Sequence, residues 1–429
     1  MLVIFGLLII SVIVILLITE KTSPLVALIL VPLIGAILAG FGAAELQNFY
    51  LAGTKKVMQI AIMFIFAILF FGIMNDVGLF TPILNRVIKL TRGNVVLVAL
   101  GTVIISTIAH LDGAGATTFL LVVPPLLPLY KRLKMNPYLL FLLLATSAGI
   151  VNMLPWGGPT GRIASVLSAD VVEIYKPLII VQIMGIGLTL ILALFLGFYE
   201  RARIKAGRGV INDIEDNFNE VSASPRSALI FYINLALFIV TLVVLVSGIL
   251  SAGYTFMIAT TLALLINYPN PKDQVQKIKD HASGAIMMAG IILAAGTFLG
   301  VLKESGMLSA IASDLVKILP NALLSQLHII IGFLGVPLEL VFSTDAYYFG
   351  LFPVVEQITH AAGVDPIKAG YAMMIGSIVG TFVSPFSPAL WMGLGLAKLS
   401  MGKHIKYSFF WMWALASSLL VLSIIVGVV

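Results

Sequence analysis

Apolar runs of about 20 residues, the length that crosses a hydrocarbon layer as a helix, recur along the whole of this chain. They fall near 1–18, 24–42, 57–77, 138–154 continued by 160–169, and 177–199. A second set falls near 227–248, 251–268, 283–302, 367–383 continued by 386–397, and 405–428. Two further apolar stretches, 94–130 and 323–358, are too long for one crossing, and each is interrupted near its middle by a polar, Gly-rich or Asp-containing patch. That interruption predicts two re-entrant hairpins, each entering and leaving on one side. The first run, MLVIFGLLIISVIVILLI, has no basic leader and no small-residue cleavage site, so it is expected to be a span and not a removed signal peptide.

The pattern occurs twice. Residues 70–90 align without gaps on 298–318: Phe70, Gly72, Gly78, Ile83 and Lys89 match Phe298, Gly300, Gly306, Ile311 and Lys317, and Asp76 opposes Glu304. Farther on, Asn136–Pro137 opposes Asp365–Pro366, and the break at Pro155–Pro159 opposes Pro385–Pro388. Each half holds an odd number of spans plus one hairpin, so the second half is inverted. Inverted repeats with discontinuous helices near the midplane mark secondary transporters. The expected fold is an all-α polytopic membrane protein of about ten transmembrane helices plus two re-entrant hairpins in two inverted-topology repeats. The N-terminal repeat covers 1–199, with hairpin 94–130, broken span 138–169 and span 177–199. A cytoplasmic linker covers 200–226. The C-terminal inverted repeat covers 227–429, with hairpin 323–358, broken span 367–397 and span 405–428.

Charge orients this arrangement. Arg201, Arg203, Lys205, Arg208 and Arg226 crowd the linker, which the positive-inside bias puts in the cytoplasm. Counting spans from there places Arg86, Lys89, Arg92, Lys131, Arg132, Lys134, Lys272, Lys277, Lys279, Lys398, Lys403 and Lys406 inside and both termini outside; Lys55 and Lys56 are the exceptions. Composition agrees: of 429 residues, 60% are hydrophobic and 10% charged, where a soluble domain carries about a quarter. The net charge of +6 sits in short clusters between apolar runs and does not point to nucleic acid. The chain has no cysteine, which excludes disulfides, thiolate metal sites and cysteine nucleophiles.

Non-helical backbone at membrane depth is tolerated only where protein or a water-filled cavity satisfies it, so the four breaks are the candidate site. The first hairpin breaks at HLDGAGATTF. There His110 and Asp112 are costly ionisable groups in an apolar run. Gly113 and Gly115 permit the reversal, and Thr117 and Thr118 can start a returning half-helix. The first broken span contains NMLPWGGPTGR. Pro155, Gly157, Gly158 and Pro159 stop the helix, and its restart near Thr160 aims an N-terminus, a natural anion site, at the midplane. Arg162 can grip a carboxylate, Asn152 supplies donor and acceptor, and Trp156 serves packing or gating as readily as contact. The second hairpin breaks at Ser343, Thr344 and Asp345, and the second broken span offers Ser384 and Ser387. Glu339 and Glu356 flank this hairpin and are expected to face external water, and Asp76 and Glu304 to end spans. Such a set suits an oxyanion, travelling with a cation that is a proton, Na⁺ or a hard divalent metal such as Mg²⁺ or Ca²⁺.

These segments resemble the citrate–metal–proton symporter (CitMHS) family of the ion transporter superfamily. HLDGAGATTF followed by PLLPLYKRL is similar to that family's first hairpin, NMLPWGGPTGR to its following loop, and STDAYYFGLFPV at Ser343–Val354 to its second hairpin. Two stretches depart: Gly370–Trp391 lacks the Arg and Gln of family members near its start, and Lys303–Met307 lacks the usual Gly-rich form. The resemblance implies proton-coupled symport of citrate complexed with a divalent metal into a bacterium through its cytoplasmic (inner) membrane. It implies a homodimer with scaffold spans at 1–92 and 227–302, and a transport part that carries hairpins and broken spans like an elevator. No cofactor is held permanently; the metal belongs to the cargo, with Asp112 and Asp345 as metal or proton-coupling contacts and His110 as a pH-sensitive group. An alternative from the same superfamily is Na⁺-coupled di- or tricarboxylate uptake. An intramembrane enzyme has no support from the motifs: HExxH, GxSxG and cysteine are all lacking.

Overall fold

The computed structural model describes residues 2–19, 21–209, 227–318 and 320–429, so Arg226 and the linker segment 210–226 lie outside the described residues. The N-terminal half runs α1 (Leu2–Ile18), α2 (Pro24–Leu38), α3 (Ala43–Asp76), α4 (Thr81–Thr91), α5 (Val95–Ala109), α6 (Gly115–Arg132), α7 (Pro137–Val151), α8 (Gly158–Leu167) and α9 (Val171–Lys205). The C-terminal half runs α10 (Ala228–Ser247), α11 (Ala252–Asn267), α12 (Pro271–Glu304), α13 (Met307–Ile318), α14 (Asn321–Leu324), α15 (Leu327–Phe333), α16 (Gly335–Glu339), α17 (Phe352–Ala361), α18 (Pro366–Ser377), α19 (Pro388–Ala397) and α20 (Met401–Ile425). Among the described residues six segments are long and apolar enough to cross a bilayer: α3, Val95–Asp112, α9, α10, α12 and α20.

The halves follow one plan. α3 and α12 are both 34 residues long, and α8 and α19 both 10. Gly78, between α3 and α4, and Gly306, between α12 and α13, both have positive φ, at 72° and 76°. The paired x-Pro steps work alike: Asn136 accepts from Tyr138 N at 3.0 Å and Asp365 from Ile367 N at 2.9 Å, each with proline in the first turn that follows. A side-chain cap and a proline that needs no N–H partner start a helix abruptly. The side chains of the matched Ile83 and Lys317 lie outside the described residues.

α3 and α12 pack against each other and form the frame on which the rest sits. They are antiparallel and closed by ion pairs at both ends. Lys277 reaches Asp76 at 2.8 Å with His281 at 3.1 Å, and Lys56 reaches Glu304 at 3.1 Å. Between those ends a Cβ on Gly53 would lie 2.0 Å from Gly296 O, so only glycine allows this approach. Asp76 and Glu304 thus do end helices, as the sequence predicts. The helices are longer than their hydropathy: α3 begins at Ala43 and not near 57, and α12 at Pro271 and not near 283. Their first turns are polar but made of good helix formers, so they stay helical beyond the apolar span. Lys55 and Lys56 therefore lie inside a helix.

The hairpins are present but unequal. The first is two continuous arms, α5 and α6, joined by a short 3₁₀ turn at His110–Asp112. The incoming arm of the second is split into α15 and α16, and its outgoing arm opens with a π-turn at Ala346–Leu351. α15 and α16 press on α18, where a Cβ on Gly376 would meet Gly332 O at 1.9 Å. α4 and α13 are short helices between the frame and the hairpins, too short to cross.

Candidate functional site

The four breaks meet inside the protein. At the first hairpin tip, Gly113 has φ 69°, a backbone state that favours glycine, and a Cβ there would sit 3.1 Å from Trp156 Cδ1. The Trp156 indole N–H donates to Leu111 O at 2.8 Å, tying the loop before α8 to the hairpin tip. A Cβ on Gly115 would lie 2.9 Å from Ala389 Cβ and 2.9 Å from Phe382 Cε1. The N-terminus of α6 abuts that of α19. The positive dipole ends of α6 and α19 thus meet, and the loop that leads into α8 is tied to the same hairpin tip.

The polar groups around them are largely pre-committed. Asp112, buried, accepts from Ala114 N at 2.8 Å and has Thr117 beside it. The Thr118 hydroxyl donates to Ala114 O at 2.9 Å and lies 2.6 Å from His110 Nδ1. A hydroxyl has one proton, so Nδ1 is the donor to Thr118 and Nε2 is a bare acceptor. His110 Nε2 and Asn152 Oδ1 are buried neighbours that face each other. Thr160, expected as a ligand, donates to Met153 O at 2.8 Å and so closes the loop that contains Pro155 and Gly157. Gly158 faces the Arg162 guanidinium, 2.6 Å from where its Cβ would be. Ser343, Ser384 and Ser387 accept from the N–H groups of Ala346 (3.3 Å), Phe386 (3.2 Å) and Leu390 (3.5 Å), leaving their hydroxyl protons free to donate.

The ionic centre is an interrepeat pair. Arg162 on α8 donates Nε at 2.8 Å and Nη2 at 2.6 Å to Asp345 Oδ1 in the second hairpin, and the Phe349 ring lies 5.9 Å from the guanidinium carbon. Both side chains are nearly buried. Glu339, at the end of α16, is completely buried beside this pair, and both its carboxylate oxygens lack a hydrogen-bond partner. This corrects the expectation that Glu339 and Glu356 face external water: Glu356 is also buried, next to Lys303. Apolar flanks reveal that a segment avoids water and do not distinguish lipid from protein around it. No group of three or more His, Asp or Glu side chains suited to a metal is found among the described residues.

Two supporting residues escape a reading of the breaks alone. Gln182 of α9 donates to Ile150 O at 3.2 Å and Val151 O at 3.1 Å where α7 ends, and accepts from Tyr175 Oη at 2.8 Å. His404 of α20 stands 3.0 Å from Phe382 O at the other break. The last helix of each half thus reaches the carbonyls at a break: Gln182 adds a second donor to Ile150 O and Val151 O, which also accept from Met153 N and Leu154 N, and His404 faces Phe382 O. For Gln182 the signal is a lone polar residue within an apolar run; His404, between Lys403 and Lys406, carries no such signal. A cleft of about 380 Å³, lined by Lys56, Gln59, Ser168, Asp170 and Ser251, opens where α3 and α11 face the α8–α9 junction. Beside it, Lys303 of α12 donates to Val166 O at the end of α8 at 2.6 Å.

Comparison with known proteins yields consistent matches. Residues 13–376 match the citrate transporter family. A protein of Bacillus subtilis (strain 168) called "Citrate transporter" is 34% identical over 431 residues, covering 100% of both chains. The "Mg(2+)/citrate complex secondary transporter" of the same organism is 34% identical over 416 residues, 96% of this chain and 95% of the relative. Among solved structures, the YdaH transporter of Alcanivorax borkumensis aligns with a TM-score of 0.62 at 15% identity over 90% of each chain, a likeness of fold alone.

Proposed function

The chain belongs to the citrate transporter family, and from that premise we propose that it carries citrate complexed with a divalent metal of the Mg²⁺ or Ca²⁺ class into a bacterial cell, in symport with protons. The carrying observation is the nearly buried Arg162–Asp345 pair, which joins α8 of one repeat to the second hairpin of the other. The N-termini and the guanidinium suit the carboxylates of the cargo. A carboxylate of citrate would take the guanidinium from Asp345, and Asp345 would turn to the metal that arrives with it. Asp112 is held by its own turn, and the acceptor at His110 Nε2 suits the citrate hydroxyl. The metal is thus part of the cargo and needs no resident cage of protein ligands.

Citrate trianion with a divalent metal keeps one net negative charge. A potential negative inside opposes its uptake by roughly 2.3 kcal/mol per 100 mV. Accompanying protons remove that penalty and, if more than one travels, reverse its sign. The transport part would move past the α3–α12 frame as an elevator in a homodimer of the cytoplasmic membrane. Proteoliposomes loaded with labelled citrate outside should accumulate it with Mg²⁺ or Ca²⁺ and an inward proton gradient. Uptake that needs no metal, ignores the proton gradient or follows a Na⁺ gradient instead overturns this reading.

A further inference from the structure

Glu339 has a property that the cargo site does not use. It closes α16 at a point where every neighbour is protein, is completely buried, and both its carboxylate oxygens lack a partner. Its Cβ and Cγ lie 3.0 Å from where a Cβ on Gly380 would be, which packs it against the second break. The charged and titratable groups that face it are few. Arg162 comes from α8, and Asp345 from the hairpin tip, with the Thr344 hydroxyl near but not closing a hydrogen bond. Tyr347 and Tyr348 come from the π-turn. The tyrosine hydroxyls are engaged elsewhere, Tyr347 with Met373 O at 3.1 Å and Tyr348 with Ser377 Oγ at 3.0 Å. α18, α20 and the turn Gly380–Phe382 pack on α16 and bring no further charge to the carboxyl.

One guanidinium therefore stands between two carboxylates, and it spends both its close donors on Asp345. A second carboxylate buried without donors is strongly disfavoured. Something positive must accompany it. A metal ion needs several oxygen ligands at once, and no cluster of three or more metal-ligating side chains exists here among the described residues. The adjoining guanidinium also repels a metal. A proton needs one oxygen and no cage.

We infer that Glu339 is the group on which a co-transported proton rides, with the Arg162–Asp345 pair as the gate to its release. Binding is simple addition of H⁺ to one carboxylate oxygen, and release returns the same proton. An anionic cargo that draws Arg162 away raises the affinity of Glu339 for a proton, and the return of Arg162 to Asp345 when the cargo leaves lowers it, so proton and cargo bind and leave together. Proton and cargo are coupled because they share one guanidinium.

This inference rests on the proton-coupled reading above, so its test has one arm that needs no cargo. Infrared difference spectra of the purified protein during a pH titration should show a buried carboxyl that gains and loses its proton, and Glu339→Gln should abolish that signal. A wild-type protein with no Glu339-dependent signal overturns the inference whatever is transported. In proteoliposomes, Glu339→Gln, which mimics the neutral acid, should keep citrate–Mg²⁺ counterflow but lose gradient-driven accumulation and its pH dependence. Glu339→Asp, which keeps a carboxyl, should recover both. Gradient-driven uptake by Glu339→Gln with an unchanged pH profile overturns the inference. Absence of citrate uptake by the wild type overturns the proposed cargo but leaves the infrared result to decide on Glu339.

Discussion

Arg162 donates twice to a single oxygen of Asp345, from Nε and Nη2. A lysine has neither the reach nor the fork to do the same. Arg162→Ala would leave Asp345 nearly buried without its cation, and breaking such a pair costs about 3–5 kcal/mol. The expected result is a lower melting temperature and loss of the thermal shift that citrate with Mg²⁺ gives the wild type. Adding Asp345→Asn should restore most of the stability and none of the shift. A double variant that binds as wild type removes the guanidinium from the cargo site.

The breaks between elements were legible because proline and glycine are punctuation that hydropathy cannot hide. The Asn136–Pro137 and Asp365–Pro366 steps start α7 and α18 where the repeat aligns them, and the loop with Pro155 and Gly157 interrupts α7 and α8 as predicted. The split of the second hairpin into α15 and α16 falls at Gly335 and Pro337, helix breakers that lie within an unbroken apolar run, and Gly332 and Gly335 approach α18 closely there. Glu339 was misjudged because a carboxyl between apolar neighbours is written the same way at a water surface and in a core. Gln182 is the clearest support that an element gives to a break. It adds a hydrogen bond to each of two carbonyls at the end of α7, each worth about 1 kcal/mol. Gln182→Leu should therefore destabilise the protein by about 2 kcal/mol, read as a fall in melting temperature with citrate binding weakened alongside. A variant as stable as wild type would mean that water or another group serves those carbonyls.

At the scale of the molecule, α3 and α12 form a frame that is locked at both ends, while α8 belongs to the group of broken elements and touches the frame through Lys303 and Val166 O. If transport moves the broken elements past the frame, that contact must part in every cycle. The chain has no cysteine, so two introduced thiols are the only ones present. Lys303→Cys with Val166→Cys, joined by a short bifunctional thiol reagent, should stop citrate exchange, and a cleavable reagent should allow recovery on reduction. Full exchange by the joined protein would sink the elevator. Although α3 and α12 extend well beyond their apolar runs, the order of the apolar helices was readable from those runs. The frame's closure was not, because Gly53 meeting Gly296 is a pairing across more than half of the chain.

The two halves share their plan, yet the guanidinium comes from one of them only: α8 carries Arg162, and α19, PALWMGLGLA, carries no charged residue. The pocket between them therefore has no two-fold axis, although the framework around it nearly does. It is handed. A cargo with two chemically identical arms loses that equivalence on binding, because one arm meets a cation and the other meets backbone and hydroxyls. The molecule would thus tell apart the two ends of a symmetric acid, and would set it down on the far side of the membrane in the same orientation each time.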